Sequence, residues 1–241
     1  MHWVNTNDFV GYFGSEVDNL QNRGDYSTEK FLALQKKLMQ QDLTSPKSLF
    51  FLKQTHSADV YVLREKNDIQ KPLDIFQHEG DAIITAEKNI GIGVATADCL
   101  PLILYDSHHP AIGVIHAGWR GLHLKIITAT ILKMHALFKT VPETLKVYLG
   151  PSASVCCYEV RSDFLLNFPD NSFEKGIIEK RDEKLFFNAR RAALDELLEN
   201  EISESLIDVT HNSCTICTPG FCSVRKPKGD AGRQPSVVFL P

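Results

Sequence analysis

At 241 residues, 43% hydrophobic and 23% charged, with a formal net charge of −4, the chain has the make-up of a soluble globular protein long enough for a sizeable core. No basic surplus marks a nucleic-acid binder. The opening MHWVNTNDFVGYFGSE lacks the regions of a secretion signal, and no apolar run is long enough to span a bilayer.

A cytoplasmic protein is therefore expected, and its six cysteines (99, 156, 157, 214, 217, 222) then point to metal ligation, catalysis or burial rather than disulfides. In chain order, Asp8 to Phe13 reads as a strand. Ser27 to Gln41 has helical spacing, with Phe31, Leu34, Leu38 and Met39 on one face and Ser27 or Thr28 as cap. Leu49 to Leu63 reads as two strands broken at Gln54-Thr55-His56-Ser57, and Asp81 to Thr85 and Ile90 to Ala97 as two more. Pro101 to Tyr105 and Ala111 to Ile115 are short, branched apolar runs around the turn Ser107-His108-His109-Pro110, the pattern of a buried hairpin. Trp119 to Phe138 is helical in period, and Leu145 to Leu149 is a strand stopped by Gly150-Pro151. Then come a helix from Asn188 to Leu198 with Asn188 as N-cap, strands at Ser205 to Thr210, Phe221 to Val224 and Ser236 to Leu240, and a loop at Lys226 to Asp230. Strands and helices interleave without repeat or low-complexity linker. This predicts one domain, residues 1–241, of mixed α/β (α+β) class with β-sheets flanked by helices.

If the two hairpin strands pair, Cys99 at the entry of the first lies near His116 at the exit of the second. With His56 they make three nitrogen and sulfur ligands with an open fourth position, the donor set of a catalytic zinc site. Scattered as they are along the chain, the same residues also fit a buried cysteine and two surface histidines. Arg120, four residues after His116, offers paired donors to phosphate or carboxylate, or an ordinary salt bridge. Asp98 suits a general base, a strand-end cap or, preferably, a carboxylate that orients a ligand imidazole; Asp81 carries the same ambiguity. Cys99, His116, Arg120 and Asp98 are the catalytic candidates. Gln54, Ser57, Asp81 and Arg233 are the substrate-binding candidates, with Arg225 as a further anion contact. Cys214-x2-Cys217-x4-Cys222, with His211 as fourth ligand, suggests a second metal, although burial is the preferred reading. Cys156 and Cys157 are read as small buried residues. GIGVAT lacks the third glycine of a dinucleotide fingerprint, and H-E-x-x-H, phosphate-loop and H-x-E…P-C-x-x-C deaminase motifs are absent.

KQTHSADV, GDAIIT, TADCLPLILYD, GVIHAGWRG, GPS and the closing CTIC…SVRK…AGRQPSVVFL together resemble the YfiH/laccase-domain family of purine nucleoside enzymes. The resemblance runs from about Leu49 to the C-terminus, and ADC…HAGWRG is its most specific part. It implies a YfiH-like fold, with zinc bound by the histidine of Q-x-H-S, the cysteine of A-D-C and the histidine of H-A-G-W-R-G, here His56, Cys99 and His116. It further implies a purine nucleoside phosphorylase acting on adenosine, inosine and S-methyl-5′-thioadenosine, with adenosine deaminase side activity. Phosphate held by Arg120 would attack the ribose C1′ through an oxocarbenium-like state, and deamination would use a metal-activated water at C6 of the purine. The N-terminus departs from the family: GYFGSEVDNLQNRGDYST stands where members carry a Phe-x-x-Arg stretch and a Gly-Gly-Val-Ser-type loop.

Two histidines and a cysteine also ligate blue copper, so a Cu2+ polyphenol oxidase is the competing enzyme. The nine histidines form no H-x-H pair, however, and the three methionines (1, 39 and 134) lie outside the site motifs. A third reading makes Cys99 the nucleophile of a hydrolase with His116 as its base. The expected partners are a small-molecule nucleoside and phosphate, with no nucleic acid and no membrane. A monomer is expected.

Overall fold

Unbroken apolar runs predict strands covered on both faces, and two stacked six-stranded sheets supply that cover. The computed structural model describes residues 2–5, 8–22, 25–39, 46–64, 73–168, 170–226 and 232–241. The first sheet contains β1 (His2–Asn5), β2 (Val10–Phe13), β5 (Ser48–Lys53), β7 (Leu73–Glu79), β9 (Ile90–Thr96) and β17 (Gln234–Phe239). Their order is β1-β2-β17-β9-β5-β7. The second contains β6 (Val60–Leu63), β8 (Ala82–Thr85), β10 (Leu100–Asp106), β11 (Ala111–Ala117), β12 (Leu145–Leu149) and β16 (Ile207–Asp208), in the order β16-β12-β10-β11-β8-β6. Both sheets mix parallel and antiparallel pairs. A minor ribbon pairs β3 (Gln21–Asn22) with β4 (Asp25–Tyr26).

Side chains alternate between the layers. Ile103, Tyr105, Ile112 and Val114 meet Phe50, Ile92 and Val94 between the sheets. Leu102, Leu104 and Ile115 face outward onto Ile126, Ile127 and Met134. Helix α1 (Thr28–Met39) covers the other outer face, packing Phe31, Leu34 and Leu38 on Leu49, Phe51 and Val237. Over the second sheet lie α2 (Trp119–His123), α3 (Ile126–Phe138) and α4 (Ala189–Glu199). A three-stranded sheet of β13 (Glu159–Val160), β14 (Ile178–Arg181) and β15 (Lys184–Phe187) adds Phe187 to the same apolar layer. Among the described residues no helix is long and apolar enough to cross a membrane.

The hairpin pairs as expected, with Pro101 opposite His116 and Leu100 opposite Ala117, and Asn188 caps α4 by accepting from the Arg191 N–H. Three expectations need correction. The single helix from Trp119 to Phe138 is two, because Lys125 takes a left-handed backbone (φ 62°). The break is invisible in the apolar spacing, since Leu122, Ile126 and Ile127 stay on one buried face. Phe221 to Val224 is not a strand: the Cys222 N–H goes to the Gln234 side chain and the Val224 N–H to Asp98, not to a neighbouring strand. Ser205 to Thr210 shrinks to β16, where Asp208 turns its carboxylate back onto the Thr210 N–H. The loop expected at Lys226 to Asp230 falls, beyond Lys226, outside the described residues.

Two of the chain crossings between the sheets frame the site. The chain leaves β5 in the first sheet and enters β6 in the second through residues 54–59; it leaves β9 and enters β10 through residues 97–99. Because β5 and β9 run parallel as neighbours, both crossings occur at the same end of the sandwich.

Candidate metal centre

His56 lies on the first crossing, Cys99 on the second, and His116 one residue before the end of β11, which antiparallel pairing brings back to the same end. Their ligand atoms lie within 4.8 Å of one another. Cys99 Sγ is 3.8 Å from His56 Nε2, and the two imidazoles meet edge to face with ring centres 4.8 Å apart. Zinc bonds of about 2.0–2.3 Å to nitrogen and sulfur fit such a triangle. His116 is buried, Cys99 half-buried and His56 exposed, so the triangle is open to solvent on the His56 side. Gly118 is the close approach that permits this packing: a Cβ there would sit 2.9 Å from His56 Cδ2 and 3.3 Å from Cys99 Sγ.

One carboxylate organises the nitrogen ligands. Asp81, fully buried, accepts from His116 Nδ1 at 2.7 Å, which fixes the tautomer and leaves Nε2 for the cluster. The same carboxylate accepts from the backbone N–H groups of Thr55, His56 and Ser57 and from the Thr55 and Ser57 hydroxyls. These bonds hold His56 in a left-handed conformation (φ 61°), strain of a kind kept where a side chain must be aimed. Burial disfavours the Asp81 charge, but His116 and Ser57 outweigh it and hold the carboxyl well below the usual range. Burial would likewise raise the Cys99 pKa, yet His116 and His56 bring it down to about 6. Burial would lower that of His116, yet the Cys99 sulfur and Asp81 carry it up to about 9. Both shifts favour a thiolate beside an imidazolium.

The other sequence candidates make contacts of their own. Asp98, also left-handed (φ 85°), accepts from Thr215 Oγ1 and the Val224 N–H, so its carboxylate ties down residues 213–225; the imidazole-orienting part expected of it belongs to Asp81. Asp81, expected at the substrate, is closed off from solvent. Gln54 imitates a strand, giving its side-chain N–H to the Ala95 carbonyl and accepting the Ala95 N–H. Ser57 caps its own turn, donating to Asp81 and accepting from the Asp59 N–H. Arg233 bonds through its backbone N–H to Asn19 and through its guanidinium to the Gly232 carbonyl, beside β17. Arg120 is exposed and stacks its guanidinium over Trp119, 4.4 Å from the ring centre.

Trp119, one residue beyond Gly118, lines a cavity of about 530 Å³. Tyr158, Arg161, Asp163, Phe164, Asn167 and Arg225 line it as well. Burial and the nearby Cys99 sulfur push the Tyr158 hydroxyl up, so it stays a donor at neutral pH. Arg225 stacks on the Tyr158 ring and donates to the Glu159 carbonyl. Of these, Arg225 is a candidate from the sequence; Tyr158 and Arg161 are not, because they lie in a region of two- to six-residue elements with no periodic signal. The second cysteine group also differs from expectation. Cys214 and Cys217 gather with Cys156 and Cys157, not with Cys222 and His211. Cys156 is exposed and Cys157 half-buried, against the burial expected of both.

A sequence profile for multi-copper polyphenol oxidoreductase laccase matches residues 18–241. The purine nucleoside phosphorylase of Aquifex aeolicus is 38% identical over 197 residues, 82% of this chain and 85% of that protein. That of Clostridium acetobutylicum is 38% identical over 202 residues, 82% of this chain and 79% of the relative. Adenosine deaminase RL5, from an unknown prokaryotic organism, is 32% identical over 217 residues, 86% and 79% of the two chains. Among solved structures, Bacillus licheniformis YfiH superposes with a TM-score of 0.82 at 21% identity, covering 97% of this chain and 93% of that one. YlmD from Geobacillus stearothermophilus gives 0.79 at 19%, covering 96% and 90%. At those identities the structural likeness speaks for the fold alone.

Proposed function

The chain belongs to the multi-copper polyphenol oxidoreductase laccase family, and from that premise we propose that it is a zinc-dependent purine nucleoside phosphorylase. The observation that carries this reading is the placement of an open three-ligand triangle beside a cavity whose walls pair aromatic rings with guanidinium groups. A cavity of that size suits a small polar ligand. The two relatives named purine nucleoside phosphorylase, each 38% identical, support the same substrate class.

His56, Cys99 and His116 would hold the zinc, and when bound it supplies Lewis acidity at the vacant fourth position. The purine ring stacks on Trp119. Arg161 and Arg225 of the cavity wall, with Arg120 stacked on Trp119, draw phosphate, whose oxygens paired guanidinium donors match. Phosphate then attacks the ribose C1′ as the glycosidic bond breaks, and the purine leaves with the bonding electrons. Tyr158, kept protonated, hydrogen-bonds the departing base. Adenosine, inosine and S-methyl-5′-thioadenosine are the proposed substrates, bound by a monomer. A second activity, hydrolytic deamination of adenosine in which water adds at C6 of the purine and ammonia leaves, is favoured by the 32% identical relative named adenosine deaminase. The copper oxidase reading is weaker: among the described residues the other potential ligand cluster is built of cysteines, with no histidine array beside the first.

The test is release of adenine or hypoxanthine by the purified chain with and without phosphate. Phosphate-dependent release together with ribose 1-phosphate is the expected result; release indifferent to phosphate would overturn phosphorolysis, and stoichiometric copper with a blue colour would overturn zinc.

A further inference from the structure

A second ligand cluster lies outside the triangle. Cys156, Cys157, Cys214 and Cys217 bring four sulfur atoms within 4.8 Å of one another. We propose that these four cysteines bind one zinc ion in a closed, four-thiolate structural site. Cys156 Sγ and Cys217 Sγ are 3.8 Å apart, and a tetrahedron with zinc–sulfur bonds of about 2.3 Å separates its corners by about 3.8 Å. Burial explains little of the arrangement, because Cys156 and Cys217 are exposed. Thiolate donors without oxygen or nitrogen select a soft ion.

The backbone prepares the site. Cys214-x-x-Cys217 has the spacing of a zinc-binding turn, and the Thr218 N–H closes that turn onto the Cys214 carbonyl at 3.0 Å. A turn over Val155–Cys157 presents the other two ligands. The two turns are already laced together, Ser152 N–H to the Ser213 carbonyl and Thr215 N–H to the Ser152 carbonyl, each at 3.0 Å. Arg181 closes over the first turn, donating to the Val155 carbonyl at 2.9 Å and the Cys156 carbonyl at 3.4 Å. Its guanidinium, which also pairs with Glu179 at 2.8 Å, lies beside the turn that would carry part of the net double negative charge left by four thiolates and one divalent zinc. On binding, the thiols give their protons to solvent and each sulfur gains a bond to zinc. The ion would staple the turn that leads into Tyr158 to the turn whose Thr215 holds Asp98. With four protein ligands it has no open position, and so no chemistry of its own.

Zinc per chain, measured by plasma mass spectrometry on the full-length protein purified without chelator, tests this independently of the proposed activity. Two zinc ions are expected in the native chain, one in His56→Ala and one in the exposed-site double variant Cys156→Ser/Cys217→Ser. On the native protein alone, iodoacetamide should spare all four cysteines until a chelator is added. Cobalt loaded into His56→Ala should show intense sulfur-to-metal charge transfer. One zinc that survives in His56→Ala would still support this site while removing metal from the triangle. Zinc wholly lost in His56→Ala, iron in place of zinc, a Cys156–Cys217 disulfide, or alkylation of all four cysteines before chelation would overturn it.

Discussion

Two ligand clusters, one at the end of the sheet sandwich and one between two turns, share cysteine sulfur as a donor yet differ in composition, number of corners and support. The triangle of His56, Cys99 and His116 is mixed, three-cornered and backed by a carboxylate; the group of Cys156, Cys157, Cys214 and Cys217 is all sulfur and four-cornered. The first is held by residues at strand ends and by Asp81, so it stays in place with a corner to spare. The second is held by turns that its own ion would tie together. Vacancy beside a rigid frame suits catalysis, whereas a filled tetrahedron suits stability.

The sharpest way to break this contrast is to exchange the consequences. Cys99→Ser should cut phosphorolysis by more than about a hundredfold, since losing even an outer partner of a metal ligand costs about 10–100-fold. Cys217→Ser should leave turnover within about threefold of native but lower the melting temperature by about 4 °C or more, the shift about 1–2 kcal/mol gives in a chain of this size. Steady-state rates and calorimetry on both variants decide it; a reversed pattern would show the roles misassigned. Asp81→Asn comes next: it keeps the shape but weakens the acceptor for His116 Nδ1. Zinc affinity of the triangle, read by competition with a chromophoric chelator, should fall by about 10–100-fold, and the four-cysteine site should not change.

Trp119→Ala should raise KM for adenosine about tenfold with little change in kcat, as expected for loss of a stacking contact worth about 1.4 kcal/mol. An unchanged KM would place the base elsewhere. The smallest effect belongs to Glu196 on α4, in neither cluster, which accepts from the Thr128 N–H and hydroxyl of α3. Burial raises its pKa to about 7. The folded state therefore holds a proton that the unfolded chain releases near pH 4.5, and this contribution fades as pH rises from about 4.5 through about 7. Glu196→Gln should add on the order of 1 kcal/mol at pH 8 and almost nothing at pH 4, checked by denaturant unfolding at both; equal gains at the two would refute the shift. Because neither metal site is touched, zinc content should remain constant.

The triangle was legible in the sequence because its frame is strong. Two buried apolar runs flanking a short turn leave little choice but a hairpin, and a hairpin joins Cys99 to His116. What misled was proximity along the chain. Asp98 adjoins Cys99 and looks like its helper, but the backbone turns its carboxylate toward Thr215, while Asp81 arrives from the connection between β7 and β8. Cys222 follows Cys217 closely, but its N–H is committed to Gln234 and its side chain is buried away from the others. Cys156 and Cys157 reach the same group only through the Ser152–Thr215 lacing, a contact between distant segments that no spacing rule encodes. The cavity wall from Tyr158 to Asn167 was illegible for a different reason: its strands and 3-10 turns are too short to develop a period.

Both crossings that carry His56 and Cys99 begin in one sheet and finish in the other, so the triangle doubles as a gauge of how the two layers are stacked. Any shear of one sheet across its partner would skew the three ligands before it disturbed a single backbone pairing. Repacking the Phe50–Ile103 interlayer would accordingly register in the spacing of the three ligand side chains.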